Sequence, residues 1–355
     1  MVASLPHRVP SVGTPFRAAP DAPRIAVVIP CYRVREAVLQ VVASIGPEVG
    51  WIIAVDDACP QQSGDWLATH CRDPRLRIVR HTVNQGVGAA TLSGYRAALD
   101  TPAEVVVKLD GDGQMDAADL LRLCRPLLAG QADYAKGNRF HRLAYVRGMP
   151  WLRLVGNAAL SFMTKLSSGY WQVADPTNGY TGLRAELVRE LDMDRIAKRY
   201  FFESDLLNHL NLMRAVVVDV PMRARYEGET SSLSPLRMIG PFAAGHLRNT
   251  LRRLGYGYFL RGFSAASVEL LLGALLLVGG AGFGALHWVQ SLATGAPATA
   301  GTVMLAALPV IIGTQMLLSW LNFDVASEPR HPVHGLLADQ QAITPDSLKP
   351  DDAAR

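Results

Sequence analysis

From Arg24 onward the chain alternates between short, unbroken apolar runs and stretches whose apolar residues recur at helical spacing. Ile25-Ala26-Val27-Val28-Ile29 is closed by Pro30, and Trp51-Ile52-Ile53-Ala54-Val55 ends in Asp56-Asp57. Arg75 to Arg80, less apolar, reads as a third strand, and the run within Glu104 to Leu109 leads straight into Asp110-Gly111-Asp112-Gly113-Gln114. Apolar residues at successive rather than alternate positions mark strands covered on both faces. Between them, Glu36 to Ile45, Asp65 to Cys71 and Gly88 to Leu99 read as helices. Strand and helix alternating with short connections predict a doubly wound, Rossmann-like α/β domain, whose ligands gather at the carboxyl ends of the strands.

The far end has a different pattern. Ser264 to Val289 is almost continuously apolar apart from Glu269, and Thr302 to Phe323 carries no charge. Each run exceeds the roughly 18 residues that mark a transmembrane candidate, so a two-helix hairpin over about 264–289 and 302–323 is expected. Glu269 belongs at the interface or against a neighbouring helix. Ahead of the first span lie Arg223, Arg225, Arg237, Arg248, Arg252, Arg253 and Arg261, whereas the Gln290–Gly301 linker has no lysine or arginine. The positive-inside rule then places the catalytic domain and both tails in the cytoplasm, as an integral membrane protein. Ser234 to Arg261 mixes those arginines with Leu236, Met238, Ile239, Phe242, Leu247, Leu251 and Leu254, the composition of an interfacial amphipathic segment or of a plain surface helix. The expected organisation is a loose proline-rich tail over 1–23, a catalytic domain over 24–233, a juxtamembrane segment over 234–262, the hairpin over 263–324 and a cytoplasmic tail over 325–355. The tail's prolines and lack of an apolar run do not fit a signal peptide.

Composition narrows the chemistry. With 355 residues there is room for one large domain and an appendage. A net charge of +4 is too mild to suggest nucleic acid as a partner. Cys31, Cys59, Cys71 and Cys124 form neither a CxxC pair nor a cluster with histidine, so neither zinc nor a disulfide framework is expected.

Asp110 and Asp112 stand one residue apart directly after a buried strand. Alternate side chains of an extended segment share a side, so both carboxylates can face one ligand. A hard divalent cation bridging to a diphosphate is the natural partner for two such groups. A calcium loop would also begin with Asp-Gly-Asp-Gly, but an EF-hand needs glutamate at its twelfth position, where this chain has Leu121.

Several motifs, in this order, resemble the family-2 glycosyltransferases of GT-A fold, and among them the polyprenyl-phosphate glycosyltransferases of the dolichyl-phosphate mannose synthase type. The likeness runs from about Ile25 to Ser232. Ile29-Pro30-Cys31-Tyr32 matches the opening strand and loop around the nucleotide base, and Val55-Asp56-Asp57 matches the second strand end. Asn84-Gln85-Gly86-Val87-Gly88 corresponds to an Asn-x-Gly-Lys-Gly stretch, with Val87 where lysine is common. One expected positive charge beside the nucleotide is thereby missing. Lys136-Gly137-Asn138-Arg139 resembles a Gly-Ser-Arg segment whose arginine contacts phosphate, and Arg153 matches a second such arginine. Asp175-Pro176-Thr177-Asn178-Gly179-Tyr180 resembles the segment beside the sugar, and Phe201-Phe202-Glu203-Ser204-Asp205 the stretch that supplies an acid near the acceptor. Arg225-Tyr226 with Ser231-Ser232 resembles an element that closes over the diphosphate.

The resemblance implies an inverting, metal-dependent hexosyl transfer from a UDP- or GDP-linked sugar to a polyprenyl phosphate in the membrane. It places Mg2+ or Mn2+ at Asp110, Asp112 and Gln114. The donor would be held by Pro30, Tyr32, Asp56, Asp57, Gly86, Asp110, Gly111, Asn178, Gly179, Arg225 and Ser231. Asp112, Arg139, Glu203 and Asp205 would serve catalysis, with Arg139 and Arg153 on the acceptor phosphate. A different acceptor, or a membrane-anchored module that binds sugar nucleotides without catalysis, are the alternatives. A processive polysaccharide synthase would carry Gln-x-x-Arg-Trp, and a P-loop transferase GxxxxGK[ST]; neither occurs. Gly273, Gly279, Gly280, Gly282 and Gly284 in the first span suit close helix packing, including self-association of chains.

Overall fold

A computed structural model describes residues 24–141, 151–222 and 235–343. The expected tail over 1–23 therefore lies outside the described residues, as do Arg223, Arg225, Tyr226, Ser231 and Ser232.

Seven strands form one sheet in the order β3-β2-β1-β4-β6-β5-β7. The strands are β1 (Ile25–Cys31), β2 (Val49–Asp56), β3 (Leu76–Arg80), β4 (Val105–Lys108), β5 (Tyr134–Asn138), β6 (Thr181–Arg184) and β7 (Val217–Pro221). The central β1 is buried along its whole length, as its unbroken apolar run requires. On one face, α1 (Arg35–Ser44) and α4 (Leu120–Leu128) cover Val27, Ile29, Val105 and Val107. On the other, α3 (Val87–Ala98) and α7 (Phe202–Leu212) cover Ala26, Val28, Val106 and Tyr134. Each fully buried aliphatic side chain contributes about 1.5–3 kcal/mol, so the two cores hold the sheet from both sides. The remaining helices of this domain are α2 (Ser63–His70), α5 (Trp151–Ser168) and α6 (Ala185–Glu190).

The sheet is mixed, where strand–helix alternation alone suggests a parallel one. β6 lies between β4 and β5 and runs antiparallel to both. That reversal brings the Asp175–Tyr180 segment, which precedes β6, to the carboxyl ends of β4 and β5. Thr181 pairs with Lys108 on one side and with Lys136 on the other, so the three stand in one row across the sheet.

Beyond the sheet, α8 (Pro235–Leu254) continues into a π-helical segment, Gly255–Arg261, which the sequence did not announce. Helix α8 is fastened to the domain through buried polar groups. Ser167 Oγ lies 2.8 Å from His246 Nδ1, and Asn208 Nδ2 donates to the Ser167 and Asn249 carbonyls. Ile239, Leu247 and Leu251 on α8 remain more than half exposed.

Two long antiparallel helices follow, α9 (Ala265–Thr294) and α10 (Ala300–Ala326), both long and apolar enough to cross a membrane. In their most apolar windows only 11% and 6% of residues are buried, which a soluble core helix would not show. Ser264 opens α9 with a reciprocal capping box to Ser267, and Gly295 closes it in the left-handed region (φ 69°). Glu269 faces the partner helix, where its carboxylate accepts from Ser319 Oγ at 3.0 Å. The two helices approach so closely that a Cβ on Gly273 would lie 3.1 Å from the Gly313 carbonyl, and one on Gly280 2.9 Å from that of Ala306. These two glycines serve the hairpin itself, whereas Gly279 and Gly282 have nothing within 4 Å.

The chain after α10 returns to the catalytic domain. A final helix, α11 (His334–Ile343), docks on α6, and the buried Asp133 carboxylate accepts from the Val333 and His334 amides, each at 3.0 Å. Both ends of the hairpin therefore lie on the same side as the sheet.

Candidate functional site

A cleft of about 500 Å³ opens at the carboxyl ends of β1, β2 and β4, where a doubly wound sheet presents its ligand crevice. Pro30, Tyr32, Asp57, Gly86, Asp110, Gly111 and Asp112, seven of the residues singled out above, all line it. Asn84 and Val87 join them, with two residues that the sequence did not mark, Arg199 and Tyr200.

One wall is a turn organised by Asp57. Its buried carboxylate accepts from the Gln85 amide (2.9 Å), the Gly86 amide (2.7 Å) and Asn84 Nδ2 (3.0 Å), and lies 2.7 Å from His81 Nδ1. Gly86 takes φ 104°, a left-handed value that strains any residue with a Cβ. A Cβ there would also collide with the Lys198 carbonyl at 2.6 Å and the Arg199 side chain at 2.8 Å. The Lys198–Tyr200 loop therefore lies directly over Gly86 and carries Arg199 into the wall beside Val87. A cation from a distant loop thus stands in the cleft wall beside Val87.

Asp56 lies elsewhere. Its carboxylate turns back into its own loop, accepting from the Cys59 amide at 2.7 Å and the Gly64 amide at 2.6 Å, and thereby holds the start of α2. It does not line the cleft.

Behind Asp110 lies Lys108, the residue that ends the Val-Val-Val run of β4 and is only 1% exposed; it does not line the cleft, and neither do Arg139, Asn178, Gly179 or Glu203 around it. Its Nζ lies 2.7 Å from Asp110 Oδ1, 3.4 Å from Glu203 Oε1 and 3.3 Å from the Gly179 carbonyl. Burial alone would push this ammonium down, but the Asp110 and Glu203 carboxylates outweigh it and hold the group above the usual lysine range. Lys136, across Thr181 in the same row, is equally buried and donates to the Asn178 carbonyl. Burial lowers it to about 8, because Glu203 and Asp175 offset only part of the penalty.

Gly179 has no room for a side chain, since a Cβ would meet Lys108 Nζ at 2.6 Å and Asp110 Oδ2 at 2.7 Å. Asn178 braces the same segment, its Nδ2 donating to the Gly137 carbonyl and its Oδ1 accepting from the Tyr180 amide. Arg139 is aimed by the fully buried Asp175, with Nε 2.7 Å from Oδ2 and an Nη 3.0 Å from Oδ1. About a third of its side chain, 30%, stays exposed. Glu203 and Asp205 part company, because two residues along a helix point roughly opposite ways. Glu203 faces Lys108, whereas Asp205 accepts from the Ala197 amide at 2.7 Å and anchors the loop that carries Arg199. Arg153 stands in the first turn of α5 with its side chain outside the described residues.

Could these groups hold a divalent ion? Among the described residues no three His, Cys, Asp or Glu side chains gather into a self-sufficient metal site. Mg2+ does not require one, since it is commonly held by one or two carboxylates and completed by substrate phosphates and water. Asp110 and Asp112 both face the cleft. Lys108 occupies Oδ1 of Asp110, and among the described residues nothing donates to its Oδ2. The Asp112 carboxylate accepts from the Gln114 amide at 3.0 Å, which curls the loop; Gln114 itself is exposed. Two hard oxygen donors on an open cleft fit such an ion.

Comparison with known proteins agrees with this architecture. Residues 26–192 match the model of the family described as Glycosyl transferase family 2. A polyprenol monophosphomannose synthase from Mycolicibacterium smegmatis is 33% identical over 56% of this chain and 76% of its own length. An undecaprenyl-phosphate mannosyltransferase from Micrococcus luteus is 29% identical over 56% of this chain and 82% of its own. A UDP-N-acetylglucosamine–dolichyl-phosphate N-acetylglucosaminyltransferase from Methanococcus voltae is 30% identical over 47% of this chain, which spans 66% of that relative's length. Sheet, cleft and relatives agree, and the chain belongs to glycosyl transferase family 2.

Proposed function

We propose that the protein moves a sugar from a nucleotide diphosphate to the phosphate of a polyprenyl lipid, with inversion at the anomeric carbon, at the cytoplasmic face of a membrane. The observation that carries this reading is the cleft itself. It offers Asp110, one oxygen of which receives no donor from the described residues, with Asp112 beside it and Arg199 on the facing wall. That pattern of charge suits a diphosphate and a divalent ion together, and suits neither alone. The relatives' names supply the acceptor class, and the exposed hairpin supplies access to it.

Asp110 and Asp112 would hold Mg2+ or Mn2+, which when bound neutralises diphosphate charge and makes it a better leaving group. Lys108 pairs with Asp110 and fixes its direction. The Asp57-braced turn and Tyr32 would receive the nucleoside. Arg139, locked by Asp175, would present its outer edge to the acceptor phosphate, where paired guanidinium donors match phosphate oxygens. A phosphate monoester is already anionic near neutral pH, its second pKa being about 6, so it attacks without a general base. The bond from the anomeric carbon to the diphosphate breaks as the bond to the acceptor phosphate forms. Glu203 then balances the charges of Lys108 and Lys136 and orients the sugar. Positioning and charge compensation carry the rate.

Membrane attachment follows from the hairpin together with the exposed Ile239, Leu247 and Leu251 of α8, which would lie at the interface beside its arginines. The charge-free Gln290–Gly301 connection supports the cytoplasmic placement.

The test is transfer from UDP- and GDP-linked sugars to a short polyprenyl phosphate, with and without Mg2+ or Mn2+, using the full chain in detergent. Metal-dependent formation of a lipid-linked sugar is expected with one donor. Donor hydrolysis with no lipid product, or transfer unaffected by chelation, would overturn the acceptor or the metal assignment respectively.

A further inference from the structure

A second cavity, of about 390 Å³, lies between the catalytic domain and the root of the hairpin and shares no residue with the donor cleft. Arg214, Arg253, Arg261, Phe263, Ser264 and Asp324 are among its walls. Ser264 caps the first turn of α9 and Asp324 lies in the last turn of α10, so the cavity sits where both spans emerge on the catalytic side.

Its charge is lopsided. Among the described residues Asp324 is the one acid in the wall, and its carboxylate is already taken. Oδ1 receives Arg253 (2.6 Å) and the Tyr258 hydroxyl (2.7 Å), and Oδ2 receives Arg253 (3.1 Å) and Trp171 Nε1 (2.8 Å). With Arg253 neutralised, Arg214 and Arg261 are left, and among the described residues neither is paired with a carboxylate. Arg261 is held in place by donating to the Leu212 carbonyl at 2.6 Å. Arg214 sits just past the end of α7 on left-handed backbone (φ 63°). Burial, and then the repulsion of Arg214, push Arg261 below the usual arginine range, so the two cations are close enough to feel each other. Around them the surface is apolar, with Leu260 80% and Phe263 70% exposed.

We propose that this cavity binds the phosphate of an anionic glycerophospholipid, gripped by Arg214 and Arg261, with its acyl chains lying along Leu260, Phe263 and the hairpin. The inference rests on reading α9 and α10 as membrane-spanning. Paired guanidinium forks match phosphate oxygens, and an arginine already fixed by a backbone carbonyl loses little freedom on binding. The lipid held here is not the acceptor, since the cavity is separate from the cleft. It would seat the catalytic domain on the bilayer.

The experiment uses the full chain in nanodiscs of phosphatidylcholine containing graded phosphatidylglycerol, with protein-bound lipid counted by native mass spectrometry. Wild-type protein is expected to retain phosphatidylglycerol in preference to phosphatidylcholine. R214Q/R261Q should weaken that retention by roughly 30-fold, the effect of two interfacial cations. The charge-matched pair R77Q/R96Q, on exposed arginines of the sheet domain, should leave it within about twofold, and R214K/R261K should restore much of it, which separates loss of charge from misfolding. Equal losses in both glutamine pairs, or none in R214Q/R261Q, would overturn the site. Competition by water-soluble glycerol phosphate at concentrations matching the lipid would overturn the lipid assignment. Carbonate extraction distinguishes the two failures. Wild-type protein washed from membranes would sink the spanning reading, whereas protein that stays inserted but ignores these arginines would sink only the cavity.

Discussion

Two aspartates, each paired with a buried cation, mark the two ends of this molecule, and they are used in opposite ways. Asp324 at the hairpin root is 4% exposed and both of its oxygens are filled, by Arg253, Tyr258 and Trp171. Asp110 in the cleft meets Lys108 through one oxygen, keeps the other toward the cleft, and is 30% exposed. A carboxylate whose acceptor sites are all satisfied by its own chain is a fastening, because nothing remains to offer a ligand. One with an oxygen left over is a ligand in waiting. Asp57 and Asp133 belong with Asp324 in this respect, since each spends its carboxylate on backbone amides.

The contrast can be broken at either end. The largest effect is expected at the root, where Asp324→Asn leaves Arg253 buried without its counter-charge and should cost about 3–5 kcal/mol, read as a lowered unfolding midpoint in detergent. Replacing both partners, as in Arg253→Met with Asp324→Leu, should recover most of that loss. In the cleft, Asp110→Asn or Asp112→Asn should instead lower kcat by about 10²–10³-fold in saturating Mn2+ or Mg2+ while the unfolding midpoint moves little. Should Asp110→Asn unfold the protein as readily as Asp324→Asn, the distinction between fastening and ligand would collapse.

Smaller effects sharpen the picture. Arg199→Gln should raise KM for the nucleotide-sugar about tenfold with kcat nearly unchanged, as expected for one charge-assisted contact to phosphate. An unaltered KM would mean that the loop cation does not stand in for the missing lysine at Val87. Lys136 gives a pH signature. It is held at about 8 in the folded protein, below its unfolded value, so between these two values the unfolded chain binds the extra proton and stability rises with pH. Wild type should therefore gain about 1 kcal/mol over Lys136→Met between pH 7 and pH 9. A constant difference across that range would place the Lys136 ammonium in a more solvated setting.

Much of the domain was legible because its strands are buried on both faces, and such strands leave unbroken apolar runs at Ile25, Trp51 and Val105. The acidic loop was legible for a related reason, since polar residues at the carboxyl end of a buried strand have little to do but face a ligand. What escaped depends on contacts distant in sequence. Thr181-Gly182-Leu183-Arg184 is too short to signal an antiparallel insertion, yet that insertion aligns Lys108, Thr181 and Lys136. Arg199 reaches the cleft only because Asp205 and the Gly86 turn fold its loop inward. The adjacent acids Asp56 and Asp57, and the near neighbours Glu203 and Asp205, look interchangeable on paper. Backbone direction alone sends Asp57 to the cleft and Glu203 to Lys108, and turns Asp56 and Asp205 onto loop amides.

The return of the chain after α10, with α11 clasped to α6 and His334 bound at Asp133, has a mechanical consequence. A catalytic domain joined to its anchor by one strand of backbone could swing like a buoy on a rope. Here it is moored fore and aft and pinned amidships by Asp324, so a bilayer spanned by α9 and α10 would see the cleft at a set stand-off and tilt. On the proposed function an acceptor embedded in that surface would have to rise to a fixed height, and a lipid phosphate carried on a long flexible chain is the kind of cargo able to do so.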